Sequence, residues 1–282
     1  MSSKSFEPAP VQSAADAELD AFERILLVGP TGSGKTKQIW TLPGRKFVYV
    51  FDPNANATLK NAPNCDIVQF MPEFLETDAT LKGFNKDSQG KVYKGDSPAT
   101  RREPSLYMRW VDDLNWRVEN GFFKDYQWIC FDSMTFLSKS LMDRQLYINN
   151  RYGGVEDIGD YKIVGRKLSD VFQSINSLPI NVLAICHKTE YQDDLTKKIV
   201  TQIRLPGSAR DVMPLMYTNV WLAHSEHDGK RTRYKIRTVP EPRGLQEIRS
   251  GTQGLAEVED VTIEDNSRPE RYGIGAILSR KK

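Results

Sequence analysis

The run Arg24-Ile25-Leu26-Leu27-Val28-Gly29-Pro30-Thr31-Gly32-Ser33-Gly34-Lys35-Thr36 constrains this chain more than any other stretch. It reads as a short apolar strand, a glycine-rich turn, and residues that open a helix, Lys37-Gln38-Ile39-Trp40. The turn fits G-x-x-x-x-G-K-[ST] in full. Each residue type has a physical task. Glycines at 29, 32 and 34 admit backbone conformations and close approaches that a Cβ forbids. Across Gly29-Pro30-Thr31-Gly32-Ser33-Gly34, backbone N–H groups converge on phosphate oxygens at the positive end of the next helix. Lys35, read as surface-facing, sets a compact cation on the terminal phosphates, and Thr36 offers a hydroxyl to Mg²⁺.

The rest of the chain alternates strands with helices. Apolar runs at 25–28, 46–51, 66–70, 127–131 and 181–186 read as strands, and residues 35–41 open a helix that Pro43-Gly44 stops. Helical spacing covers 107–123, 134–150 and 160–177. Residues 219–224 and 231–239 form a hairpin around Asp228-Gly229. A further short strand is expected at 261–263. Residues 1–21 read as a disordered tail, 22–240 as the core, 77–104 as an inserted loop or hairpin within it, and 241–282 as a C-terminal extension. The stretch 188–213 reads as one long connection of mixed charge. Strands separated by helices imply a mostly parallel sheet covered on both faces, with ligands at the C-terminal ends of its strands.

Four further positions carry chemistry. Asp132 ends the buried run Trp128-Ile129-Cys130-Phe131, where a carboxylate beside Thr36 can hold Mg²⁺ or its water. It can equally cap the helix that follows. Hydrolysis needs a group that orients or deprotonates water. Ser133 follows Asp132, so the acid that ends the strand at 46–51, Asp52, is the candidate. Asp-Pro-Asn is also good turn chemistry. His187 ends a core strand where it can sense a γ-phosphate or simply cap the strand. Lys235 and Arg237 share one face of a late strand. They can serve a neighbouring subunit's phosphate or lie on a solvated face.

Composition bounds the remainder. The 282 residues hold one large domain or two small ones, with hydrophobic content of 39% and a net charge of +2. That charge argues neither for nor against nucleic acid. Cys65, Cys130 and Cys186 lie far apart and read as core residues in a reducing cytoplasm, which is the expected location. His224 and His227 lack a third metal ligand nearby. No membrane segment or signal peptide is expected.

These motifs together resemble the RecA-like P-loop ATPases, and closest the small phage-encoded ATPases of recombination and single-strand annealing. The resemblance rests on Gly29–Thr36, Val48–Asn54, Ile129–Ser133, Val182–His187 and the Lys235-x-Arg237 pair, and covers about residues 24–240. It implies a RecA-type core, ATP with Mg²⁺, homo-oligomers with sites at subunit interfaces, a host-cytoplasm location, and single-stranded DNA as partner. The position of that family's catalytic glutamate holds Asn54 here. Within 188–213, Lys197, Lys198, Arg204 and Arg210 are offset by Asp193, Asp194 and Asp211, less basic than a dedicated DNA loop. An NTP-dependent switch or motor acting on a protein in phage assembly is a second reading. A nucleotide kinase is a third, supported only by Arg101 and Arg102 in the insert.

Overall fold

The computed structural model describes residues 22–72, 84–86, 92–94, 103–152, 154–192, 197, 199–241 and 244–280. The expected tail at 1–21, most of the 77–104 insert, and Arg101 and Arg102 lie outside these. Eleven strands are present among the described residues: β1 (Arg24–Gly29), β2 (Lys46–Val50), β3 (Cys65–Gln69), β4 (Phe84–Lys86), β5 (Val92–Lys94), β6 (Trp128–Asp132), β7 (Asn181–Gln192), β8 (Ile199–Ile203), β9 (Asn219–His227), β10 (Thr232–Arg237) and β11 (Val258–Asp260). The helices are α1 (Lys35–Gln38), α2 (Ala55–Leu59), α3 (Leu106–Glu119), α4 (Met134–Ile148), α5 (Ile158–Asn176), α6 (Ala209–Val212) and α7 (Gly273–Ser279). The segment expected as one helix at 35–41 is α1 followed by a 3₁₀ turn at Ile39–Thr41. Within the insert, β4 and β5 form an antiparallel pair.

The main sheet runs β11-β10-β9-β1-β7-β6-β2-β3. From β9 to β3 every pairing is parallel, while β10 and β11 add an antiparallel edge. This is the α/β, RecA-like P-loop core that the sequence predicts, late hairpin included. β1 sits in the middle, and Ile25, Leu26, Leu27 and Val28 have no solvent exposure. Alternation sends Leu26 and Val28 to the layer containing α3, α4 and α5, and Ile25 and Leu27 to the layer containing α1 and α7. A parallel sheet covered on both faces needs such all-apolar strands. Full burial of each such side chain is worth roughly 1.5–3 kcal/mol, which holds the P-loop's base still. Arg24 anchors the other end of β1. Its guanidinium donates to the carbonyls of Asn176 (2.9 Å), Leu178 (2.8 Å) and Ile180 (2.7 Å), at and just beyond the end of α5.

Two expectations are corrected. The stretch 188–213 is not a plain connection. β7 runs past the sheet to Gln192, and β8 folds back on it, with Lys188 opposite Ile203 and Gln192 opposite Ile199. The β-rich composition of Ile199-Val200-Thr201-Gln202-Ile203 was the signal. The late strand is Val258–Asp260, not 261–263. The Val261 N–H still donates to the Tyr234 carbonyl at 2.8 Å, and the ladder stops there, because the Tyr234 N–H donates to Thr262 Oγ1 in place of a backbone carbonyl. Among the described residues no helix is long and apolar enough to cross a membrane.

Candidate functional site

The P-loop joins β1 to α1 at the C-terminal edge of the sheet. Gly32 and Gly34 take φ of +79° and +80°, conformations that side chains resist. A Cβ on Gly34 would also stand 2.7 Å from Cδ1 of Tyr234, on β10. Gly29 serves a close approach, but of the strand β9 and not of a phosphate. Its φ is ordinary, but a Cβ there would meet the Ala223 carbonyl at 2.4 Å. The glycine lets β9 close against β1.

Lys35 corrects a further expectation. It is not surface-facing but 6% exposed. Its ammonium donates to the carbonyls of Gly29 (2.9 Å) and Pro30 (2.6 Å). Burial pushes it down to about 8, against the pull of Asp132. An incoming polyphosphate supplies the opposite charge that burial withholds. Binding therefore raises this pKa and draws a proton from solution wherever the empty site is partly neutral. Titrating nucleotide at about pH 8.5 in buffers of different ionisation enthalpy should show proton uptake, shrinking at pH 7. Equal apparent enthalpies across buffers at both pH values would refute it.

β7 separates β1 from the acid strand β6, a gap of about 10 Å at ordinary strand spacing. α1 spans it. The Thr36 hydroxyl donates to Asp132 Oδ2 at 2.7 Å. Asp132 is 1% exposed, and burial pushes its carboxyl up to about 6, with Thr36 opposing. The peptide after it, Asp132–Ser133, is cis. A hydroxyl and a carboxylate in contact are a hard-oxygen pair that fits Mg²⁺. Among the described residues no group of three or more His, Cys, Asp or Glu could hold a metal. A cation at Thr36 and Asp132 therefore requires oxygens from the nucleotide or water.

These groups line one cleft of about 530 Å³. It includes Thr31, Gly32, Ser33, Gly34, Lys35, Thr36, Asp52, Asp132 and His187. Asp52 serves its turn as well, accepting the Asn54 N–H at 2.9 Å, while its own N–H donates to the Asp132 carbonyl at 3.1 Å. His187 is half-buried, its backbone N–H donating to Thr135 Oγ1 at 3.0 Å. Burial and then Lys35 hold its imidazolium form below the usual range. Lys235 and Arg237 do not reach this cleft. Lys235 pairs with Glu226, and Arg237 lies 3.3 Å from Glu241. Sequence reasoning missed the opposite wall: Tyr234, Val261, Thr262, Ile263 and Asn266. The sequence marks 261–263 only as a short apolar strand, and nothing local places it at the cleft.

A second cavity, about 580 Å³, adjoins the first at Thr31 and His187. Phe136 and Lys139 of α4, Tyr161 of α5, and Gln202 and Arg204 at the end of β8 line it.

No curated protein matches the chain. Among solved structures, a KaiC-like protein from the hyperthermophilic archaeon Pyrococcus horikoshii OT3 aligns at a TM-score of 0.40 and 10% identity, covering 88% of each chain. A likeness that loose says nothing about function. A family model described as AAA domain matches residues 21–244, four-fifths of the sequence and every site residue that the sequence singled out, but not the cleft wall at 261–266. With the full P-loop and its paired acid inside that match, the chain belongs to the AAA domain family.

Proposed function

We propose that this protein binds and hydrolyses Mg²⁺-ATP at a subunit interface and acts on single-stranded DNA in phage recombination or strand annealing. The Thr36–Asp132 contact of 2.7 Å beside a complete P-loop carries the nucleotide part. When bound, Mg²⁺ neutralises charge building between the β- and γ-phosphates. The chain's own residues do the rest. The loop N–H groups and Lys35 hold the phosphates, Asp52 orients or deprotonates water, and His187, level with Gly29 where β7 leaves β1, senses the γ-phosphate.

The second cavity supports the DNA part. It carries two aromatic rings, Phe136 and Tyr161, and two cations, Lys139 and Arg204. Stacking platforms with cations suit unpaired bases and their phosphates. It shares Thr31 and His187 with the nucleotide cleft, so occupancy of one can bias the other. Adding single-stranded DNA should raise ATP turnover, and Arg204→Ala should abolish that rise while sparing basal turnover. Turnover indifferent to DNA of any length overturns the DNA reading.

One observation favours the second reading, a switch acting on a protein. Val155 and Ile158 are each 74% exposed beside Glu156 and Tyr161 of this cavity. Exposed apolar side chains in a cluster suit a protein partner.

A further inference from the structure

We infer that the segment 261–266, beyond the end of the family match, forms with Tyr234 the seat of the nucleotide's base, and that Asn266 selects adenine. The inference rests on the nucleotide-binding reading of the P-loop.

The cleft has two chemically different ends. Asp132, Thr36, Asp52 and His187 make one of them acidic and polar. Tyr234, Val261 and Ile263 make the other apolar, with Thr262 and Asn266 as its polar groups. A polyphosphate belongs with Lys35 and the loop N–H groups. A flat, uncharged base needs apolar surface and a small number of convergent polar groups, which only the second end supplies.

This wall is built to a fixed distance from the P-loop. The Val261 N–H donates to the Tyr234 carbonyl at 2.8 Å, and the Tyr234 N–H to Thr262 Oγ1 at 2.9 Å. Gln38, on the P-loop helix and 2% exposed, clamps the segment from below. Its Nε2 donates to the Val261 carbonyl at 3.0 Å, and its Oε1 accepts the Ile274 N–H at 3.2 Å. The Gly275 N–H donates to Thr41 Oγ1 at 3.3 Å. Tyr234 completes the link, since its ring fills the space that a Cβ on Gly34 would need. Base wall and phosphate loop are thus held together through buried side chains.

The neighbouring acids are engaged elsewhere. Glu264 pairs with Arg231 at 2.9 Å, and Asp265 accepts the Ser267 N–H at 2.8 Å. The Asn266 side chain offers one donor and one acceptor. Such an amide pairs bidentately with the N6 donor and N7 acceptor of adenine. Guanine presents two acceptors on the same edge, which an amide cannot match. The site therefore favours adenine.

Calorimetric titration with Mg²⁺-ADP, Mg²⁺-GDP and magnesium pyrophosphate tests this. The wild-type chain should prefer ADP to GDP. Asn266→Ala, at the exposed rim, should lower the ADP-to-GDP affinity ratio about tenfold and leave pyrophosphate binding unchanged. Ile263→Ala should weaken both nucleotides and again spare pyrophosphate. A wild-type protein indifferent to the base, or an unchanged ratio in Asn266→Ala, overturns the inference while pyrophosphate binding upholds the P-loop. Failure of the wild-type chain to bind pyrophosphate overturns the P-loop reading and this one with it.

Discussion

An Arg237→Ala protein is expected to bind ATP normally and to turn it over about 10³–10⁵ times more slowly. The cleft explains why. The P-loop, Lys35 and Thr36 contact a nucleotide from one side, and no arginine stands among the described residues that line the cleft. A loose phosphoryl-transfer transition state needs positive charge on its outer side as well. Arg237 lies on β10 opposite Leu222, which lies opposite Val28, so it is level with the start of the P-loop but two strands outward. Tyr234 and Ile236 pack toward the α1 layer, so alternation turns Lys235 and Arg237 to the other face, away from their own cleft. That geometry suits a neighbour's site. The pairing with Glu241 joins an Arg237 side chain 22% exposed to a carboxylate 50% exposed, and does not lock Arg237 in place. Exposed ion pairs are worth about 0–1 kcal/mol. Complementation tests the idea. A Lys35→Ala protein should lose most ATP affinity. Mixed with Arg237→Ala, it should recover activity, because some interfaces then join an intact P-loop to an intact arginine. No recovery at any mixing ratio, with co-assembly confirmed by light scattering, would return Arg237 to a solvated strand face.

What the sequence made legible follows from how local each signal is. The P-loop is contiguous, so its strand, turn and helix start were readable residue by residue. Asp132 was readable because an all-apolar strand ending in an acid is unusual, and a fold that brings it to Thr36 follows from the order of strands. The Lys35 environment was not readable. Its surroundings combine the loop carbonyls with the charges of Asp132 and Cys186, which lie far away in sequence. The β7–β8 hairpin was hidden by charged residues, since a hairpin that leaves the sheet needs no apolar face. The cleft wall at 261–266 was hidden more deeply. Its position depends on Gln38 reaching across 223 residues to the Val261 carbonyl, a contact with no periodic or compositional trace.

Asp52→Asn is expected to leave nucleotide binding intact and slow hydrolysis by about 10²–10⁴. Three acids or imidazoles line the phosphate end of the cleft: Asp52, Asp132 and His187. Asp132 is committed, since its Oδ2 holds Thr36 and its carboxylate is the one that fits Mg²⁺. Burial and then Lys35 disfavour the charge that His187 would acquire as a base. Asn54 lines the cleft too, yet an amide cannot take a proton. That leaves Asp52. It lies two residues past the end of β2, the strand beside β6, and its N–H is fixed on the Asp132 carbonyl at 3.1 Å. The substitution is selective by design. Asparagine keeps an oxygen where Asp52 Oδ1 accepts the Asn54 N–H, so the turn survives. Only the charge and the capacity to accept a proton are removed. The measurement is steady-state ATP turnover beside a binding titration on the same preparation. Wild-type turnover in Asp52→Asn would leave Asp52 with its turn and nothing more. Lost binding would mean that the carboxylate holds the nucleotide or its cation, which moves Asp52 from the water to the metal.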